Sequence, residues 1–570
     1  MRRRFLLIAP PRLGLRLAPM IKFRMPFLLV LALVVPFVAQ AEGALPVPDN
    51  AKPAMRGVLE KLGYAGPYAV ELRRLYESQA YQPLWSHDGS ATPQAQVMVD
   101  ALVRAGERGL IAADYDGPNL KDSLTRLSSG QPSAGESWAA FDVTLSRASM
   151  RFGNHLHRGR IDVADLTKLG ISIQANRPLD LPRVVSELSK SADPLRELDR
   201  LEPATGVYGA LKAALAHYRA LAQAAPPAPV KLAKSLHAGE SSESVPNLRT
   251  LLQLNGYLDP NALPAADANL YDDGLADAVR RFQARFGLEP DGIVGGQTLK
   301  QINMTPAERL NQIRLGLERL RWLPEQRDSA YLIVNVPSFR LYGYDAGVPD
   351  LAKPDISMNV IVGEAIDTHN TPVFHADMES IAFRPYWNVP YSIAHKELLP
   401  LIEKSYSYLA KNDMEIVADD GISVGLDASQ GNIDAVDHGQ FRLRQRPGPK
   451  NALGPIKFVF PNMNSVYLHG TPKQYLFQRA RRDFSHGCIR LADPAGLAEF
   501  VLKNENGWNR SRIESAMQGD KSFSVRLSRN VPVYIFYTTA LADAQGQVLF
   551  YPDVYGQDAG LLQLLGKEGG

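Results

Sequence analysis

The hydrophobic period of this chain changes once, after Pro324, and the change restricts the folds open to it. Before that point "YAVELRRLYESQ", "AQVMVDALVRAGERGL", "WAAFDVTLSRASMRFGNHL" and "GALKAALAHYRALAQA" repeat apolar residues at i, i+3 and i+4, the spacing of one helix face. After it, "SAYLIVNVPSFRLYGY", "ISMNVIVGE", "IKFVFPN", "SVYLHGT" and "VPVYIFYTTALAD" are rich in Val, Ile, Phe and Tyr and bounded by Gly, Pro and Asn, as strands are. Helices first and strands afterwards predict a multidomain α+β protein, with a mixed or antiparallel β-sandwich or barrel at the C-terminal end.

Local composition divides the helical part. "AQAAPPAPV" at 222–230 is an exposed, semi-rigid Ala/Pro linker. Beyond it, "SVPNLRTLLQLNGYL" and "LYDDGLADAVRRFQARFGLEPDGIVGGQTLKQIN" predict a small module of two or three helices. In the β-rich part, a stretch between "AFRPYWNVP" and "GPKNALGPIKF" interrupts the strands. It reads as helix followed by a strand at "QFRLRQRPG" and is a candidate lid. The expected organisation is a signal at 1–41, a helical scaffold at 50–221, the helical module at 230–305, a mostly-β domain at 310–545 with the insertion at 391–445, and a tail at 546–570.

The signal rests on Lys22 and Arg24, an apolar run from Met25 to Val38 and the small-residue site Ala39-Gln40-Ala41, the three regions of a cleaved export peptide. The alternative is a retained anchor, against which stand the shortness of the run and Pro26 and Pro36 within it. With 63 basic and 60 acidic residues, nothing marks a nucleic-acid stripe, and no nucleic-acid partner is expected.

Cys488, in "RDFSHGCIRLADP", is the single cysteine of the 570 residues. It cannot close an intramolecular disulfide, so it is either a small apolar filler or a reagent. A thiol needs a base or a positive field to ionise near neutral pH, and "VYLHGT" puts His469 at a strand end upstream. Gly487 allows a tight turn that aims consecutive N–H groups at one point, the requirement of an oxyanion hole. No acidic residue adjoins His469, so a backbone carbonyl is open as its orienting partner. No metal is expected. His155 and His157 are two residues apart and do not share a helix face, and His369, His375, His395 and His438 lack ligand spacing and read as surface or lid residues.

"HGTPKQYLFQRARRDFSHGCIRL" resembles the signature of the L,D-transpeptidase family, and the resemblance extends through "VIVGEAIDTHNTPVF", "YWNVP" and "NALGPIKF" over about 310–540. "AVRRFQARFGL…DGIVG…TL" resembles a small three-helix peptidoglycan-binding module through Phe282, Gln283, Gly287, Leu288, Asp291, Gly292, Gly295 and Thr298. Together with the scaffold, this is similar to the large multidomain periplasmic branch of the family. The resemblance implies a mostly-β catalytic domain with a helical lid and makes Cys488 the nucleophile, with His469 the general base, oriented through the Gly470 carbonyl. The amides of Gly487 and Cys488 would hold the oxyanion, with Tyr467 and His486 nearby. Arg490 would hold the turn or bind a substrate carboxylate, and Trp387 and Tyr386 would line the groove at the root of the insertion. Each has a plainer reading: Ser485 as a turn cap, Tyr467 as strand packing, Arg490 as a structural ion pair.

The implied reaction is attack on the third residue of a peptidoglycan tetrapeptide stem, loss of D-Ala, and transfer of the acyl group to the side-chain amine of a second stem's diamino acid. Carbapenem-type inhibitors on Cys488, a periplasmic location (or an inner-membrane anchor facing the periplasm) and no cofactor follow from the same resemblance. The same acyl-enzyme is compatible with an L,D-carboxypeptidase or with attachment of a protein to peptidoglycan. The alternative of another class is a non-catalytic wall anchor, against which stand His469, Gly487 and Cys488.

Overall fold

The structure is a computed structural model and describes residues 51–63, 66–129, 135–173, 178–261, 267–324, 328–347, 352–366, 369–418, 423–425 and 428–566. The export signal expected at 1–41 lies outside the described residues.

The helical scaffold is built around the long helix Gly135–Arg158, whose Phe141, Leu145, Phe152 and Leu156 meet Met55, Leu72, Met98 and Leu102 from earlier helices. A short hairpin, Ser86–His87 with Ser90–Ala91, sits among these helices and was not expected from the helical period. The small module consists of helices Val245–Leu254, Asp273–Arg285 and Gly296–Ile302.

The Ala/Pro linker runs exposed over the surface, but it does not separate independent cores. Val207, Leu211 and Leu215 before it share one apolar cluster with Val279 and Phe282 of the small module and with Ile333, Tyr342 and Phe536 of the β domain. The element joining them is the helix Pro306–Leu320. Its start is set locally: Thr305 accepts the Glu308 N–H, the Glu308 carboxylate returns to the Thr305 N–H, and Pro306 takes the first turn. Glu318 on this helix is almost fully buried and accepts the N–H groups of Arg160 (2.6 Å) and Ile161 (2.9 Å) and a guanidinium nitrogen of Arg321 (3.3 Å). Arg319 pairs with Asp558 at 2.6 Å, so scaffold, helix and C-terminus are tied by buried charge.

The β domain is a mixed sheet of nine strands: β1 (Tyr331–Asn335), β2 (Arg340–Tyr344), β3 (Ile356–Gly363), β4 (Phe374–Phe383), β5 (Ile456–Val459), β6 (Leu468–His469), β7 (Asp483–Ser485), β8 (Ile489–Leu491) and β9 (Phe523–Phe536). The order is β7-β3-β8-β6-β5-β4-β9-β1-β2, and β2 also pairs with β3, closing the sheet into a barrel. Of the two β architectures expected, the barrel is the one formed. Three pairs are parallel: β6 with β8, β7 with β3, and β9 with β1. β4 was not expected as a strand, because Asp377, Glu379 and Ser380 break its apolar run. It is nonetheless central, paired with both β5 and β9, and Phe374, Met378, Ile381 and Phe383 supply its buried positions.

The insertion between β4 and β5 has its own core of Leu398, Ile402, Leu409, Ile416, Ile433 and Leu443, and its own sheet: Trp387–Asn388, Arg442–Gln445, Met414–Val417 and Ser423–Gly425. The segment after 545, expected as a tail, is structured. Val548–Phe550 pairs with Ala540–Ala542, and helix Gln557–Gly566 buries Leu561 and Leu565 against the barrel. Leu561, Leu564 and Leu565 stand at i, i+3 and i+4, a helical spacing that the expectation of a tail passed over.

Removing one partner of a buried charge cluster strands the others. Glu318→Ala should therefore cost about 3–5 kcal/mol of unfolding free energy, read from denaturant midpoints; a loss below about 1 kcal/mol would show that Arg321 and the two amides find other partners.

Candidate functional site

Parallel pairing of β6 with β8 puts Leu468 opposite Ile489 and His469 opposite Arg490. On its other side β6 pairs with β5, with Lys457 opposite His469. Strand alternation sends Leu468, Ile456 and Phe458 into the barrel core. It leaves Lys457, His469 and Arg490 on the other face, where with Cys488 and Tyr467 they line a cavity of about 830 Å3.

Two close backbone approaches hold this geometry. A Cβ on Gly454, whose φ is +63°, would lie 2.6 Å from the Thr471 nitrogen, so the loop before β5 can press on the His469-Gly470-Thr471 strand only as glycine. Gly487, at φ +114°, stacks against Gly363, where an added Cβ would come 3.0 Å from the Gly487 Cα. The Gly487 carbonyl accepts from Thr371 Oγ1 at 2.8 Å, and Thr371 Oγ1 accepts the Gly363 N–H at 2.9 Å. Tyr555 closes the loop by donating to the Gly363 carbonyl at 2.6 Å.

His469 is buried and donates Nδ1–H to the Gly470 carbonyl at 2.5 Å, which fixes the tautomer with Nε2 unprotonated. Burial first, and the Arg490 charge second, push its pKa down to about 3, against the pull of the Gly470 carbonyl. Cys488 is half-buried, and burial raises its thiol above the ordinary value, while Tyr467, Lys457 and Arg490 pull it the other way. The site therefore rests as neutral thiol and neutral imidazole. Cys488 Sγ donates toward the Ser465 carbonyl at 3.8 Å, and among the described residues no Cys488–His469 hydrogen bond is formed. The two share the cavity without yet touching.

The remaining expected residues separate. Ser485 bridges the turn, accepting the Gly487 N–H at 3.2 Å and donating to the Cys488 carbonyl, as a turn cap does. This takes the Gly487 amide out of the expected oxyanion pair; the Cys488 N–H is left without a partner among the described residues. His486, expected near the oxyanion, instead meets Glu397 of the insertion at 2.8 Å and lies edge-on to His369 at 4.7 Å. It still lines the cavity, as Glu397 and His369 do, but its ring is engaged by the insertion. Tyr467 faces Cys488, and burial and the nearby thiol raise its hydroxyl pKa. Arg490 lines the cavity and makes no ion pair among the described residues, which removes the structural-pair reading. Trp387 and Tyr386 line the cavity from the insertion, with Glu397 and Lys396.

Lys457 is the residue that sequence reasoning missed. Its ammonium sits 3.6 Å from the centre of the Tyr467 ring, burial lowers its pKa, and it has no carboxylate partner among the described residues. Its signal was present: in "PIKFVF" a lysine alternates with apolar neighbours, so it shares a face with whatever lies opposite. Elsewhere, His395 pairs with Asp437 within the insertion, while His375 stacks on Tyr534 from barrel strand β4 and so is neither a lid nor a loop residue. No metal-binding cluster occurs among the described residues.

Chemically, the cavity offers a thiol, an oriented neutral base, a free amide and two cations. Comparisons with known proteins agree with the architecture around it. Residues 329–534 match the L,D-transpeptidase catalytic domain, 241–302 the family described as "Putative peptidoglycan binding domain", and 70–215 the "Scaffold domain". A curated Haemophilus influenzae protein named "Putative L,D-transpeptidase" is 31% identical over 262 residues, 46% of this chain and 50% of that protein. The chain thus matches about half the length of that relative. A crystal structure of a fused Zn-dependent amidase/peptidase/peptidoglycan-binding protein from Clostridium acetobutylicum covers 53% of this chain and 99% of its own, at 13% identity and a TM-score of 0.15, too low to carry any argument.

Burial of His469 yields a direct expectation. Ring NMR signals of this residue should not titrate between pH 8 and 5, because its pKa is near 3; a midpoint close to 6.5 would contradict the buried neutral imidazole.

Proposed function

We propose, from the premise that residues 329–534 are an L,D-transpeptidase catalytic domain, that the chain cross-links peptidoglycan stem peptides through a thioester on Cys488. The observation that carries this reading is the placement of His469, tautomer fixed by Gly470, and Cys488 on one cavity wall.

The third residue of a tetrapeptide stem enters the cavity with its carbonyl carbon above Cys488. His469 Nε2 takes the thiol proton as sulfur attacks, and the tetrahedral oxyanion accepts the Cys488 N–H. Lys457 and Arg490 lower the cost of both negative species, since neither is held in a contact ion pair among the described residues, although Glu364 acts on Arg490 from a distance. The carbon–nitrogen bond to D-Ala breaks, and the imidazolium returns its proton to the departing amine, leaving a thioester. The side-chain amine of a diamino acid on a second stem then attacks. His469 takes the amine's proton and passes it to the sulfur as the thioester breaks, regenerating the thiol. One base serves both halves, which a buried neutral imidazole permits because it is never locked in a resting ion pair.

The insertion roofs the cavity with Trp387, Ile393 and Leu398 and is joined to the Cys488 turn through Glu397 and His486. Its role in this reading is to keep water from the thioester so that an amine wins. The helical module and an exported, periplasmic location would bring the domain to its polymer.

Incubation with a disaccharide-tetrapeptide and mass spectrometry should show release of one D-Ala and a cross-linked dimer. Tripeptide alone would make the chain a carboxypeptidase and overturn the cross-linking step. Cys488→Ala should lose both the product and the mass adduct formed with a carbapenem while keeping its circular dichroism. Lys457→Met should slow carbapenem acylation by at least about tenfold, the effect of removing one partly desolvated charge next to a forming thiolate; an unchanged rate would remove Lys457 from the mechanism.

A further inference from the structure

A second groove, of about 870 Å3, lies where the small helical module meets the barrel. Arg281 and Arg285 of helix Asp273–Arg285 form one wall, and Arg340 of β2 and Arg482, just before β7, form the other. No aspartate or glutamate is among its lining residues. Of the four, only Arg285 forms an ion pair among the described residues, with Asp543 at 3.7 Å. Arg281 donates to the Tyr257 carbonyl, and Arg340 to Asn359 (3.3 Å) and Ser357 (2.9 Å). Arg482 is buried and directs its donors to backbone carbonyls, Val360, Phe339 and Arg479 among them, so its hydrogen bonds are met while its charge has no contact ion pair among the described residues and feels only the longer-range pull of Glu289. The nearest carboxylate on this side, Glu289, accepts the Ala480 N–H at 3.1 Å. Four guanidiniums sharing one groove repel each other unless an anion joins them. Burial and the Arg340 charge indeed lower the Arg482 pKa to about 10.

The rest of the lining narrows the anion. Tyr257 and Tyr551, both half-buried, present aromatic surface beside the arginines, the combination that binds a carboxylate on a carrier with apolar faces rather than a bare ion. One wall belongs to residues 241–302, which match the peptidoglycan-binding family. The chain leaving Arg482 continues through β7 into the Cys488 turn.

We infer that this groove is a second peptidoglycan site, taking the free stem-peptide carboxylates of a neighbouring strand between Arg281 and Arg340, over the Arg482 charge, with sugar or aliphatic faces on Tyr257 and Tyr551. The inference rests on the peptidoglycan reading of the Cys488 cavity. It gives the chain a hold on polymer at the base of the segment that carries the cysteine. Cross-linking requires two strands, and a cavity for the reacting stem does not by itself retain the second.

Hydrogen exchange of the full Cys488→Ala chain separates this site from the first. Titration with a disaccharide-tetrapeptide should protect 281–290 and 337–342 in the groove and, independently, 464–473 at the cavity. Arg281→Gln with Arg340→Gln should raise the concentration for half-protection of the groove segments about tenfold or more, as loss of charge-assisted hydrogen bonds does. The same fragment with its carboxylates amidated should leave those segments unprotected. Groove protection that is unchanged in the double variant, equal with the amidated fragment, or matched by inorganic phosphate at the same concentration overturns the assignment. Loss of protection at 464–473 alone would instead count against the cavity reading.

Discussion

Two residues of parallel pairing, Leu468–His469 beside Ile489–Arg490, are the constraint on which the rest of the β domain turns. Parallel neighbours cannot be joined by a tight hairpin. The chain between them must leave the sheet, return, and enter from the same end, and β7 and the Ser485–Cys488 turn lie on that return path. The histidine and the cysteine come to line one cavity for this reason: one ends a strand and the other precedes the strand laid alongside it. The glycines at 363, 454 and 487 let the backbones approach closely enough for the pairing to hold.

Around that pairing the electrostatics are unusual for a thiol site. Burial drives both His469 and Cys488 toward their neutral forms, and the positive charges of Lys457 and Arg490 press the same way on the imidazole while favouring a thiolate. A cavity of this kind does not store a charged pair. It stabilises negative charge when chemistry creates it, which suits the proposed acyl transfer, where an oxyanion forms twice. The insertion completes the enclosure with a core of its own, and its hold on the barrel side of the cavity includes polar contacts, Glu397 with His486 and Gln445 with the Lys450–Ala452 loop.

The helix Pro306–Leu320 makes one body of parts that the sequence separates. A Pro-rich linker suggests free movement, but the residues on both sides of it are buried in the same cluster. Fixed placement of the small module against the barrel is also what creates the arginine-lined groove, since neither wall alone encloses it.

The α-then-β order, the helices of the small module and the barrel's strands other than β4 and the short β7 and β8 were legible in the sequence, because hydrophobic period reports which face of an element is buried without knowing what buries it. The chemical types at 469 and 488 were legible for a similar reason: a lone cysteine after glycine and a histidine at a strand end carry their reactivity with them. What a neighbour does could not be read this way. Ser485 engages the Gly487 amide, Glu397 engages the His486 ring, and Lys457 joins the cavity only because β5 lies beside β6 in one register. β4 became central through its partners rather than its composition, and the segment after 545 became structured through the surface beneath it. By itself the sequence determined the elements and the reactive groups, which are local properties of side chains and spacing. Only tertiary structure decided which polar groups were already engaged, which charges stood alone and which strands shared a register, because these depend on contacts between residues far apart in the chain.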